Sequence, residues 1–219
     1  MLYNTTSTHQ YDHSIFATLQ EFIKKNVKMK SDTHIFGNLP DGEEVLLFTL
    51  TNDQNITVKI TNYGAIITEI IMPDKNGKTE NMFCGLEALE QYLSKEYLGS
   101  YPYFGAIIGR CGNRIANGHL EIDGISYTMA VNNGPNHLHG GLTGFDKRLW
   151  DAEPVQTPEY VGVKLSYLSP HMEENYPGNL KVTCLYTLNN NNELGIEYFA
   201  ETDKTTAVNL TNHTYFNLT

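Results

Sequence analysis

The chain has 219 residues, 40% of them hydrophobic, with 15 basic against 25 acidic side chains and a formal net charge of −10. That length suits one large all-β domain, and the acidic balance argues against a nucleic-acid partner, whose binding needs a basic surface to displace counterions. No run approaches the roughly 18 apolar residues of a membrane span. Three widely spaced cysteines, Cys84, Cys111 and Cys184, form neither a C-x-x-C pair nor a disulfide framework. The polar start MLYNTTSTHQ has no apolar signal core. These features predict a cytoplasmic protein and leave neutral small molecules open as partners, with no membrane or protein partner expected.

In residues 1–34, Ile15, Leu19, Phe22, Ile23 and Val27 recur at helical spacing, and lysines 24 and 25 suit the C-terminal turn. An amphipathic helix over 14–28 is expected, within an extension that precedes a domain running from 35 to 219. Strand signals begin at Val45–Leu50. A turn cluster at 51–55 leads into Ile56, Val58 and Ile60, which alternate with polar residues. Asn62-Tyr63-Gly64-Ala65 and the run 66–72 follow, then the turn Pro73-Asp74-Lys75-Asn76-Gly77. The glycine of that first tetrad is expected to let backbones approach closely. Leu86, Leu89, Tyr92 and Leu93 predict one short helix.

The stretch from Gly109 to Trp150 concentrates polar groups around one clear hairpin, in which Asp123-Gly124 separates Leu120 and Ile122 from Ile125 and Tyr127. Further on, Val161, Val163, Leu165 and Tyr167 alternate, as do Leu180, Val182, Cys184, Tyr186 and Leu188, with Leu194, Ile196 and Tyr198 after a turn at 189–192. These predict a long antiparallel hairpin, and a last strand from about Ala207 delivers His213 at its end. With fourteen tyrosines and no repeat or linker, many short strands separated by turns predict a β-sandwich.

Several segments, in order, carry a family resemblance. GR-x-x-NRIA-x-G, DG-x-x-Y, N-x-GPN-x-LHGG-x-x-GFDK-x-x-W, EENYPG (Glu173 to Gly178) and NLTNHTYFNL (Asn209 to Leu218) together resemble the aldose 1-epimerase, or galactose mutarotase, family. The resemblance runs from about Phe36 to the end. It implies a large two-sheet antiparallel sandwich (the supersandwich), an isomerase that interconverts the α and β anomers of free hexoses such as galactose and glucose, and a carbohydrate-metabolic role.

Anomer interconversion opens a hemiacetal ring: the C1 hydroxyl loses a proton while the ring oxygen gains one. It needs a general base and a general acid, each worth roughly 10²–10⁴-fold, and neither metal nor redox cofactor. The resemblance places His213 as proton donor to the ring oxygen, a role suited to a side chain that titrates near neutrality. It makes His139 and the pair Asn113 and Arg114 sugar-binding. Tyr215, two residues past His213, is expected to share its face and line the same pocket.

Other readings compete at these positions. His137 and His139 form a His-x-His pair, but a cupin-like metal site would add a glutamate about four residues on, where the chain has Thr143 and Gly144. No metal is therefore expected. Arg114 has the alternative of an ion pair with a structural carboxylate such as Asp146, itself read as architectural. Trp150 and Tyr127 either stack on a sugar or fill the core. Glu173 and Glu174 belong to a motif that shapes the chain.

Family members continue well beyond NHTYFNL, and that part carries a sugar-binding aspartate and the glutamate that acts as base. The resemblance therefore implies a C-terminally incomplete sandwich with little or no turnover of its own. The alternative is a non-catalytic carbohydrate-binding module of the same fold.

Overall fold

In the computed structural model, residues 29–218 are described, so the helix expected over 14–28 lies outside them. Strands β1 (Lys30–Asn38), β2 (Glu44–Thr51), β3 (Thr57–Thr61), β4 (Ile67–Pro73) and β5 (Thr79–Asn81) form one antiparallel sheet in chain order. The strand β1 was not expected from sequence and takes in residues assigned there to the extension. Its KSDTHIFGN lies at the sheet's edge with most side chains exposed, so no apolar alternation betrays it.

Two short helices follow where one was expected: α1 (Leu89–Tyr92) and α2 (Lys95–Ser100). The second starts at Ser94, whose hydroxyl accepts from the Tyr97 N–H at 3.1 Å, a cap that satisfies an orphan donor. Then come β6 (Ile107–Ile108), β7 (Arg114–Ile115), the hairpin β8 (His119–Ile122) with β9 (Ile125–Thr128), and β10 (His137–Leu138), which pairs with β7. The Asp123-Gly124 turn is as expected, both residues lying at positive φ (53° and 75°) between paired Ile122 and Ile125.

A second antiparallel sheet holds β11 (Asp151–Gln156), β12 (Tyr160–Ser169), β13 (Leu180–Asn189) and β14 (Leu194–Thr202). Thus the expected long hairpin is three of four strands. Alternation along β13 buries Leu180, Val182, Cys184, Tyr186 and Leu188 against Phe48, Leu50, Val58, Ile60 and Ile67 of the first sheet. Each such apolar side chain is worth roughly 1.5–3 kcal/mol of burial. The last strand, β15 (Thr211–Asn212), pairs with β6 and is shorter than expected. Before it, a bridge from Asn209 to Cys111 helps to tie the chain down.

Trp150, 1% exposed, packs edge-on against Phe145 at 5.7 Å within this core. Tyr127 packs on the smaller cluster of Cys111, Met129 and Tyr176. Trp150 is therefore a core residue, and Tyr127 a partly buried one that packs against the core. Gly64 fulfils its expected role: at φ 63° it comes so close to the Asp146 carbonyl that a Cβ would lie 2.3 Å from it, leaving room for glycine alone.

Candidate active site

The small ladders between the sheets carry the polar residues. His213 leaves β15 with its backbone fixed on both sides: its N–H donates to the Ala106 carbonyl and its carbonyl accepts from the Gly105 N–H, each at 2.9 Å. One residue earlier, the Asn212 amide donates to the Gly105 carbonyl at 2.8 Å and to the Tyr186 hydroxyl at 3.1 Å. That hydroxyl donates to the Ala65 carbonyl at 2.8 Å. His213 is therefore anchored to the fully buried Tyr186.

His139 follows β10 in the left-handed region (φ 52°). Its ring lies 5.1 Å from the His213 ring at an interplanar angle of 89°. Tyr103 meets both, at 4.8 Å from His139 and 5.6 Å from His213. The Tyr215 ring lies 5.1 Å from His213 and 5.4 Å from Phe104. Residues 213–215 are not strand, so Tyr215 reaches His213 by ring packing rather than by the strand alternation expected.

Arg114 is held at two corners. Its Nε donates to Asn133 Oδ1 at 2.9 Å, and Nη1 donates to Asn113 Oδ1 at 3.2 Å. Arg114 is exposed, and its guanidinium has donors beyond these two bonds with which to meet neutral hydroxyls. Asp146 is not its partner: the Tyr101 hydroxyl donates to Asp146 Oδ2 at 2.5 Å, and Lys147 Nζ pairs with that oxygen at 2.7 Å.

Burial, then the nearby His213 and Arg114, pushes the His139 imidazole down from 6.5 to about 4. Burial also lowers His213, opposed first by a hydrogen bond to its own backbone and then by the charge of Asp146. Both rings are therefore mainly neutral at pH 7. An imidazole with a lowered pKa gives up its proton readily once charged, at the cost of a smaller charged fraction.

His137 faces the other way. It is fully buried, with Nδ1 bonded to the Ala130 carbonyl at 2.8 Å and Nε2 to the Tyr176 hydroxyl at 2.8 Å. The two histidines of the H-x-H pair thus do not share a face. Among the described residues no group of three His, Cys, Asp or Glu side chains is placed to hold a metal ion.

Glu173 and Glu174 serve the scaffold. Glu173 pairs with Arg148 at 2.7 Å and accepts from the Tyr167 hydroxyl at 2.6 Å. Glu174 accepts from the Leu142 and Thr143 N–H groups at 3.0 and 2.9 Å, and from the Thr143 hydroxyl at 2.6 Å. It thereby clamps the loop just after His139.

Two residues at this site were not found from sequence. Tyr103 carries no periodic or motif signal, since a tyrosine in YPYFG reads as core. Asn133 lies in NNGPN, where a turn is the ordinary explanation.

A family model described as aldose 1-epimerase matches residues 46–219. Galactose mutarotase of Bos taurus is 46% identical over 185 residues, covering 84% of this chain and 51% of its own length. Aldose 1-epimerase of Escherichia coli (strain K12) is 37% identical over 179 residues, or 82% and 49% of the two chains. The crystal structure of galactose 1-epimerase from Lactobacillus acidophilus NCFM superposes with a TM-score of 0.76 at 33% identity, over 87% of this chain and 54% of that one. The chain spans about half the length of the curated relatives it matches. On the match from residue 46 onward and the shared antiparallel architecture, the chain belongs to the aldose 1-epimerase family.

Proposed function

We propose that the chain supplies the acid side of a site that interconverts the anomers of a free hexose. His213 hands a proton to the ring oxygen, His139 donates a hydrogen bond beside it, and Arg114 with Asn113 grips hydroxyl oxygens. Tyr215 lines the same pocket. The observation that carries this reading is the right-angled pairing of the His139 and His213 rings at 5.1 Å, two residues brought together from separate ladders. The names of relatives such as the Bos taurus galactose mutarotase support galactose as the sugar. Nothing in the reaction requires a metal or redox cofactor, and three free cysteines support a reducing compartment, the cytoplasm.

The base is the missing half of the chemistry. Asp146, Glu173 and Glu174 are each engaged by donors described above, which supports assigning the base to none of them. We therefore expect residues 1–219 to bind sugar but to turn it over slowly or not at all, which favours a binding role for this chain in isolation. Polarimetry of α-galactose and calorimetric titration of galactose into the chain test this together. Binding without rapid mutarotation is expected. Turnover at the rate of a complete epimerase would overturn the assignment of the base, and no binding at all would overturn the site.

A further inference from the structure

Behind the histidine pair lies a buried charge that the proposed chemistry has not used. Asp146 is fully buried in the short turn Phe145–Lys147. Its Oδ2 takes the Tyr101 hydroxyl and the Lys147 ammonium, while Oδ1 is buried without a hydrogen-bond donor among the described residues. Glycine keeps the space open, since a Cβ at Gly144 would lie 2.8 Å from Oδ1. Lys147 Nζ stands 3.9 Å from the Tyr101 ring centroid and 5.6 Å from that of Tyr103, within reach of a cation–π attraction. Tyr101 and Tyr103 meet edge-on at 4.5 Å, and Tyr103 in turn touches His139 and His213. Carboxylate, ammonium, two phenol rings and two imidazoles thus form one continuous stack from core to site.

We propose that Asp146 is a positioning residue for this pair: its fixed negative charge holds Tyr101 and Lys147 against Tyr103 and helps His213 keep the proton it delivers. The proposal rests on the reading of His213 as proton donor. Shape alone would be served by asparagine, which offers Tyr101 a similar acceptor without the cost of burying a charge. The groups facing His213 are His139, Tyr103 and Tyr215 by ring contact, with Arg114 beyond His139 and the Asp146–Lys147 pair behind Tyr103. Arg114 and a charged His139 oppose a proton on His213, and Lys147 weakens the Asp146 carboxylate that favours it.

Histidine ring signals of the full chain, followed by NMR across a pH titration, test the proposal. Asp146→Asn should make His213 bind its proton about threefold more weakly, and Asp146→Glu should restore it. Lys147→Gln should tighten proton binding by a similar factor, because the carboxylate is then unscreened. A His213 midpoint that stays put in both Asp146→Asn and Lys147→Gln, or moves the opposite way, overturns the proposal. If Asp146→Asn does not fold, Lys147→Gln decides alone. Galactose binding undiminished in His213→Ala would instead count against His213 as a sugar-facing group, and so against the proton-donor reading, while leaving the titration result standing.

Discussion

The Asn113 backbone and His139 hold each other in both directions: the Asn113 N–H donates to His139 Nδ1 at 3.0 Å, and the His139 N–H donates to the Asn113 carbonyl at 3.0 Å. Because Nδ1 accepts, the proton of the neutral imidazole sits on Nε2, leaving that nitrogen as a donor. Protonating Nδ1 would break this bond, which acts in the same direction as the burial that lowers the ring to about 4.

A pH dependence of stability follows. An unfolded His139 titrates near 6.5 and the folded one near 4, so between these values the unfolded chain binds more protons. The stabilisation is complete above 6.5 and is lost as pH falls toward 4. With the ring only half-buried, the loss is expected to be about 1 kcal/mol after allowance for solvent screening. Urea denaturation at pH 4.5 and pH 7 measures it. His139→Gln should narrow the gap between the two values, and an unchanged gap would count against His139 as its source.

Glu174 should matter to the site through the loop it clamps. His139, Gly140 and Gly141 run consecutively at positive φ (52°, 82° and 109°), a path that needs outside support. A Cβ at Gly141 would come within 2.0 Å of Glu174 Oε2. Glu174→Ala should therefore speed hydrogen exchange at the Leu142 and Thr143 amides and weaken galactose binding, at a stability cost of about 1–2 kcal/mol. Gly141→Ala should do the same from the other side. Unaltered exchange at both amides in Glu174→Ala would show that the clamp is not needed.

Arg110 should be the costliest of these positions to change. Its guanidinium is 1% exposed and donates from Nε to Ser169 Oγ at 2.8 Å, from Nη1 to the Pro177 carbonyl at 2.9 Å, and from Nη2 to the carbonyls of Ser169, Pro170 and Gly178 at 3.0, 2.9 and 2.9 Å. Lysine brings the charge but cannot reproduce the planar fork. Arg110→Lys is expected to lose about 3 kcal/mol or more of stability by urea unfolding. A loss under 1 kcal/mol would mean that the loop from 169 to 178 holds its shape unaided.

What the sequence revealed depended on whether a residue's environment is periodic. Strands β12 and β13 have one face in the core, so their alternation was visible. The edge strands β1 and β11 were not: β1 is largely exposed, and β11 carries Pro154, tolerated because a sheet edge can lack a ladder donor. At the site, His139 and His213 were legible only through their motifs, since no local pattern shows that the ladders β7–β10 and β6–β15 present them to one another. Tyr103 and the Asp146–Tyr101 contact were hidden for the same reason.

Asn133 gives the sharpest division between fold and binding. Its Oδ1 takes the Arg114 Nε proton at 2.9 Å, and its backbone bridges to Asn136 within the loop. Asn133→Ala leaves that backbone pairing intact and removes only the group that fixes the guanidinium plane. Arg114 would then retain the single bond to Asn113 and pay more entropy to meet a sugar. Galactose affinity should fall roughly threefold to tenfold by calorimetry, with the urea midpoint unmoved because the contact is at the surface. Asn133→Asp, which keeps the acceptor, should restore most of the affinity. If Asn133→Ala binds as tightly as the parent, Arg114 orients itself without help, and the loop from 132 to 136 has no part in recognising sugar.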